Sequence, residues 1–338
     1  NVNPYYDKKL KLDRLKQLEL LSKKENYSWE FKKCDIADDD VIKNILRGIK
    51  PNIIMGWMYH GNIAAVLVGL FLPKNRIYWN IRQSFYKDNK EKIFTRIVIF
   101  ICKYLQFNVH KIIYNSEISK KHHELIGFKP RLGAVIHNGF DIPSYEKEKK
   151  SQIKRDLGIA SSSIIVGHVA RFHHMKDHAN FLKAIVPILE KRKNIIVIFI
   201  GKDINLNNKN ISKNIPINLK KYFYFLGEKD NAISVMSAFD IFCLSSSSES
   251  FPNVVAEAMS VRVPVVSTDV GDVRKIIGDS GIVVPAKDSI ALQNGINYLV
   301  NIQVDKRDQL GLEAQLRIKT LFSLSSYCNN YQNEFFDL

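Results

Sequence analysis

Residues Ser245–Gly271 read SSSSESFPNVVAEAMSVRVPVVSTDVG, and this stretch decides the fold of the chain around it. The apolar run Ile241–Leu244 precedes it, and Val263–Ser267 forms a second apolar run inside it. Between the two, Pro252 opens a segment with helical spacing, Pro252–Ser260. Proline suits the first turn of a helix, because the N–H it lacks has no intrahelical partner there. Strand, polar loop, helix and strand in that order make up one unit of a helix-covered parallel sheet. The amides of Asn253, Val254 and Val255 are expected to face outward at the positive end of the helix dipole, a site for a diphosphate. Glu257 lies five residues past Pro252 on the same helix, where its carboxylate suits a ribose diol. Glu249 lies on the loop just before. Taken singly, either glutamate is better read as a helix cap or a solvated side chain.

The same alternation extends in both directions. Strands are expected at Asn52–Gly56, Arg76–Ile81, Lys111–Asn115 and Leu132–His137, with helices at Asn62–Leu72, Lys90–Leu105 and Glu117–Ile126. Tyr145–Lys154 is charge-dense, lacks periodicity and reads as a linker. A second series follows, with strands at Ile164–Ala170, Ile195–Ile200, Tyr222–Leu226, Ile241–Leu244, Val263–Ser267 and Gly281–Val284. Its helices are expected at His178–Glu190, Asn231–Ala238, Pro252–Ser260 and Ser289–Val300. Two parallel-sheet domains are expected to leave a cleft at the carboxyl ends of their strands. The expected division is a segment 1–50, an acceptor-side domain 51–144, a nucleotide-binding domain 145–324, and a helix 325–338 returning to the first domain.

With 338 residues the chain exceeds what one core usually serves. Its four cysteines match no metal or disulfide spacing, as in a reducing cytosol. The first nine residues are polar and charged, and no apolar run is long enough to span a bilayer, so a cytoplasmic protein is expected, attached to a membrane at most. Of the net charge of +16, residues 1–150 carry +12. That asymmetry points to an anionic partner, or equally to a lysine-rich genome. Lys90–Leu105, basic on one side and apolar on the other, reads as a bilayer contact or as a core-packed helix. The charge alone does not make a nucleic-acid binder, since no aromatic-plus-basic stacking platform accompanies it.

Glu249-x7-Glu257 with FPN between the carboxylates, EAMSVRVPVVSTDVG after them and VGHVARFHHMKDHANFLKAI upstream resembles glycosyltransferase family 4. These are retaining enzymes of the two-Rossmann-domain, GT-B type. The resemblance runs from about Pro51 to the C-terminus and rests on several ordered motifs. It implies a metal-free transfer from a UDP-sugar, with Arg171 and Lys176 on the donor diphosphate and Glu249 on the sugar hydroxyls. It places Glu257 on the ribose and the Leu226–Gly227 turn against the base, with Ser250, Phe251, Pro252, Asn253 and Val254 around the donor. Independently, a departing nucleoside diphosphate gains negative charge that two cations and a helix start would stabilise. The segments PNIIMGWMYHGNIAAV, IYWNIRQSFY and VIHNGFD resemble the acceptor half. His60 and Arg82 there are expected at the ends of neighbouring strands, with Arg82 free to bind an acceptor phosphate or to form a structural salt bridge. The implied acceptor is a surface glycan or a polyprenyl-diphosphate saccharide of capsule or O-antigen type.

The family's opening strand and glycine-rich turn are not found. Residues 1–46, with YYD and CDIAD patches, instead resemble UDP-glucuronate 4-epimerases. Asp38–Asp40 has the spacing of a metal motif but reads as helix N-terminal charge. A hybrid opening of this kind leaves a second expectation, a protein that binds the nucleotide sugar with weak or absent turnover. A UDP-sugar epimerase of the same architecture is the third, against which the FPNVVAEAM signature argues.

Overall fold

The computed structural model describes residues 44, 45, 48–72, 75–85, 93–143 and 147–336. The epimerase-like segment and Asp38–Asp40 fall outside these residues, except for Asn44 and Ile45. In chain order the principal elements are β1 (Ile53–Trp57), α1 (Met58–Gly69), β2 (Arg76–Ile81), α2 (Ile93–Leu105), β3 (Lys111–Tyr114), α3 (Glu117–Leu125), β4 (Gly133–Val135), α4 (Lys147–Asp156), β5 (Ile164–Val169), α5 (His178–Lys191) and β6 (Ile195–Ile200). They continue with α6 (Lys209–Ser212), β7 (Phe223–Phe225), α7 (Ala232–Met236), β8 (Ile241–Leu244), α8 (Asn253–Ser260), β9 (Val265–Thr268), α9 (Val273–Ile277), β10 (Gly281–Val284), α10 (Ser289–Asn301), α11 (Val304–Leu321) and α12 (Leu324–Phe336). The strands form a four-stranded sheet, β1-β2-β3-β4, and a six-stranded sheet, β10-β9-β8-β5-β6-β7. The expected pair of α/β sheets is therefore present. By compactness the chain divides into unit 1, residues 1–80 with 91–112, and unit 2, residues 81–90 with 113–338.

In unit 1, β1 runs parallel to β2 in register from Ile53↔Arg76 to Trp57↔Asn80. Helix α1 folds back directly on β1, and a Cβ at Gly56 would meet the Asn62 Cα at 2.6 Å, so glycine alone fits there. Met58, at φ 58, makes the turn and starts the helix four residues before the sequence suggests. His60 therefore lies in the first turn of α1 and not at a strand end. It is exposed, and its ring stacks on Phe94 at 6.1 Å.

Unit 2 is built on the six-stranded parallel sheet. Ile195, Val197 and Phe199 pack on one face with α5 and α10, while Ile196, Ile198 and Ile200 pack on the other with α8 and α11. Burial on both faces explains why β6 is uniformly apolar, with no polar alternation. The residues expected to form a linker are mostly helical, as α4. No apolar stripe marks this helix, because ionic contacts hold it: Lys150 Nζ reaches Asp240 Oδ1 at 2.6 Å, and Lys154 Nζ donates to the Ser161 and Ser163 carbonyls at 2.9 and 2.6 Å. The long α11 was not expected from the sequence. Helix α12 follows a short bridge in which Phe140 and Leu324 exchange backbone bonds with Phe322 and Phe140.

Candidate active site

The order of the six-stranded sheet reverses at one place. The chain builds β5, β6 and β7 outward on one side, then crosses to lay β8 beside β5 and builds β9 and β10 on the other. Ligands of such sheets sit at the carboxyl ends of the strands flanking that reversal. Two loops meet there, 170–177 after β5 and 245–252 after β8.

The first loop is shaped by its own side chains. His173 accepts from the Met175 amide at 3.3 Å, and Asp177, left-handed at φ 45, caps α5 through the Asn180 amide at 3.2 Å. Arg171 stands exposed at its start. Lys176 turns inward and donates to Glu249 Oε1 at 2.5 Å. Three serines of the second loop, Ser245, Ser246 and Ser247, explain that approach. Ser245 Oγ donates to the Lys176 carbonyl at 2.9 Å, the Ser247 amide to the Met175 carbonyl at 2.8 Å, and Ser246 Oγ to Glu249 Oε1 at 2.7 Å. Lys176 and Glu249, assigned different tasks from the sequence, are thus brought together as an ion pair.

Ser250 is clasped from two directions. Its hydroxyl donates to Asn115 Oδ1 at 2.9 Å and lies 2.8 Å from Ser116 Oγ, and its carbonyl accepts from the Asp272 amide at 3.1 Å. Gly271, at φ 58, packs so closely that a Cβ would lie 2.3 Å from that carbonyl oxygen. The buried Asp272 carboxylate accepts from the Glu117 and Ile118 amides at 2.8 and 3.2 Å and faces His137 Nε2 at 2.9 Å. Ser84 Oγ adds a bond to the Glu249 carbonyl at 3.0 Å. The Ser250 side chain is therefore a pin for the loop. The sequence reading missed Asp272, Asn115, Ser116 and Ser246; TDVG and YNS were visible, but polar residues that matter through the partners folding brings to them carry no spacing signature.

Pro252 sits one place earlier than expected. It is the N-cap of α8, and its carbonyl accepts from the Val255 amide at 3.0 Å, so that donor is used. Among the described residues, none accepts from the amides of Asn253 or Val254, which remain the donors of the helix start. Phe251 and Pro252 are buried, the phenyl ring 5.9 Å from Phe322, and Val254 packs against the core. These three support the helix.

A cavity of about 510 Å³ opens beside α8. Asn253, Glu257 and Ser260 line it from the helix, at positions that share one face, with Arg82, Asn138 and Tyr327 among the groups around them. Arg82 donates to Asn138 Oδ1, and Asn138 Nδ2 to Asn253 Oδ1 at 2.5 Å, so a polar relay runs across the wall. Burial raises the Glu257 carboxyl above the ordinary carboxylate range. The Leu226–Gly227 turn lies after β7: Leu226 packs on the core, and Gly227, at φ 67, has open space where a Cβ would stand. Its carbonyl accepts from the Gly201 amide at 2.8 Å. Of the expected residues, Arg82, Asn253 and Glu257 share the cavity wall, while His60 belongs to unit 1.

A model of the family described as glycosyl transferases group 1 matches residues 149–317. The N-acetyl-alpha-D-glucosaminyl L-malate synthase of Bacillus anthracis is 26% identical over 69% of this chain and 60% of its own length. The UDP-Gal:alpha-D-GlcNAc-diphosphoundecaprenol alpha-1,3-galactosyltransferase of Escherichia coli is 23% identical over 73% of this chain and 64% of its own. The chain thus spans under two thirds of either relative. The crystal structure of Anabaena Alr3699/HepE in complex with UDP and glucose superposes with a TM-score of 0.79, covering 95% of this chain and 89% of that one at 19% identity.

Proposed function

Since the chain belongs to the group 1 glycosyl transferases, we propose that it moves a sugar from a UDP-sugar to a surface-glycan acceptor with retention of anomeric configuration. The observation that carries this reading is the arrangement at the sheet reversal. A cation and a carboxylate on facing loops, Lys176 and Glu249, adjoin a helix start with open amides and a cavity lined by Asn253 and Glu257. In this reading Glu257 accepts from the ribose hydroxyls and the Gly227 turn leaves room for the base. A donor diphosphate draws Lys176 away from Glu249 and engages Arg171 and the amides of Asn253 and Val254. The freed Glu249 then holds the hydroxyls of the sugar.

The C1–O bond breaks with its electron pair passing to the UDP phosphate. The acceptor oxygen bonds to C1 on the same face, and its proton leaves with the departing phosphate oxygen. Arg171, Lys176 and the helix amides stabilise the charge that develops on UDP, the role a metal ion plays elsewhere. The Escherichia coli relative, named for a diphosphoundecaprenol-linked acceptor, supports a lipid-linked saccharide as the acceptor class. Arg82 is the candidate for meeting its phosphate.

The test is UDP release in the presence of candidate UDP-sugars. Release by the wild type and its loss in Glu249→Ala is the expected result. Equal release by both removes Glu249 from the mechanism. A UDP-induced rise in Tm without product in any donor–acceptor pair leaves a nucleotide-sugar-binding protein in place of a transferase.

A further inference from the structure

Helix α2 is apolar on two sides. Val98, Ile99 and Cys102 are buried, and the Cys102 thiol donates to the Tyr59 carbonyl of α1 at 3.6 Å. The opposite side presents Ile93, Phe94, Ile97, Phe100, Ile101 and Tyr104, each between 40% and 77% exposed. Their spacing keeps them in one stripe along the helix, and the exposed Phe107 extends it past the helix end. A contiguous exposed apolar patch of this kind marks an interaction surface, since singly scattered apolar residues are the norm elsewhere.

The charges around the stripe select the partner. Arg96 and Lys103, seven residues and so two turns apart, follow one border of the stripe. The described residues of unit 1 include Lys50, Arg76, Arg96, Lys103 and Lys111, and among them there is no Asp or Glu. A second copy packed through this face would set the same cations, Arg96 and Lys103, against one another. An anionic bilayer meets it with opposite charge and offers an apolar layer beneath the headgroups. At 13 residues, about 20 Å, α2 is too short to cross the hydrocarbon layer, and its buried opposite side keeps it lying in the plane of the surface.

We infer that unit 1 docks on an anionic lipid bilayer through this face of α2. Phe94, Ile97, Phe100, Ile101 and Tyr104 enter the boundary between headgroups and acyl chains, while Arg96 and Lys103 extend along the border to the lipid phosphates. The docking does not rest on the sugar-transfer reading, because it is measured with neither donor nor acceptor present.

The experiment is flotation of the full chain with phosphatidylcholine vesicles, with and without phosphatidylglycerol, over a range of salt. Binding to the anionic vesicles is expected, weakening as salt rises. Ile97→Asp/Phe100→Asp is expected to reduce it about tenfold or more while leaving the thermal melt unchanged. Arg96→Gln/Lys103→Gln, with the apolar stripe intact, is expected to weaken binding and flatten its salt dependence. A wild type that stays with the soluble fraction, or an aspartate variant that floats equally well, overturns the inference. So does a concentration-dependent dimer abolished by the aspartate variant in a protein that ignores both vesicles.

Discussion

The loops at the reversal of the unit 2 sheet and the outer face of α2 in unit 1 are opposites in construction. Between Ser245 and Asp272, the side chains of Ser245, Ser246, Ser247, Glu249, Ser250 and Asp272 find partners in their own or neighbouring loops, and Glu249, Ser250 and Asp272 are each held by at least two bonds. On α2, bulky apolar side chains meet solvent, and the charged residues described in unit 1 are all basic. A chemical step needs groups that are already in place when charge develops, and interlocked hydrogen bonds provide that. A surface that meets a fluid partner needs chemistry without fixed geometry. The contrast is between a site that is positioned and a face that is only composed.

The largest effect expected from this contrast is on stability. Phe199, fully buried between Phe223, Phe225 and Phe181, should cost about 3–5 kcal/mol on truncation to Ala. Phe100→Ala, at a position 58% exposed, should change stability by no more than about 0.5 kcal/mol. Urea unfolding of both variants decides it; a comparable loss in Phe100→Ala would mean that protein covers the α2 face.

Next in size is Glu249→Ala, expected to lower transfer about a hundredfold or more with little change in the urea midpoint. A midpoint that falls together with the rate would recast the Lys176–Glu249 pair as a fold contact. Asp272→Ala follows. It strips two amides of α3 and His137 of one buried acceptor, for a loss of about 2 kcal/mol, and it loosens the loop behind Glu249. The expected kinetic sign is a raised KM for the donor, with Asp272→Asn recovering part of it. An unchanged KM separates the clasp from the site.

Much of this was legible beforehand, and the limits of that legibility have physical causes. The alternation of β-branched runs with amphipathic segments located the strands of the larger sheet to within a residue or two, because burial on both faces leaves an unbroken apolar signature. Helix α4 was missed because Lys150 and Lys154 fix it through Asp240, a residue far away in sequence. His60 was placed at a strand end because nothing in WMYHG announces that Met58 takes a left-handed conformation. Glu249 and Glu257 stood out by motif, whereas Asp272 matters through what folding brings against it.

Acid should act on unit 2 through its buried histidines, among them His168, which burial lowers well below 6.5. Burial lowers both His123 and His178 from 6.5 to about 4. Above pH 6.5 neither ring is charged in the folded or unfolded chain. As pH falls from 6.5 toward 4 the unfolded chain takes up protons that the folded one refuses, so stability declines through that interval. The buried neutral rings thus work against the fold in mild acid. Thermal melts between pH 7 and 4 should show the decline, and His178→Phe should reduce it; an identical pH profile in that variant would mean His178 takes no part.

The smallest effect concerns Glu257 and has opposite signs in two measurements. Burial raises its carboxyl pKa, so the folded chain holds the proton more tightly than the unfolded one. The sign is therefore the reverse of that for an ion-paired carboxylate. The ionised group opposes folding, and the penalty is absent in acid and complete once pH passes the raised value. Glu257→Gln keeps the shape and removes the charge, so it should raise Tm slightly near neutral pH and make no difference in acid. The same change should weaken UDP binding, because the amide accepts hydrogen bonds less strongly than a carboxylate does. A variant both more stable and poorer at binding places Glu257 among groups held at a stability cost for a ligand, whereas one that binds UDP as well as the wild type removes the ribose from the wall of this cavity.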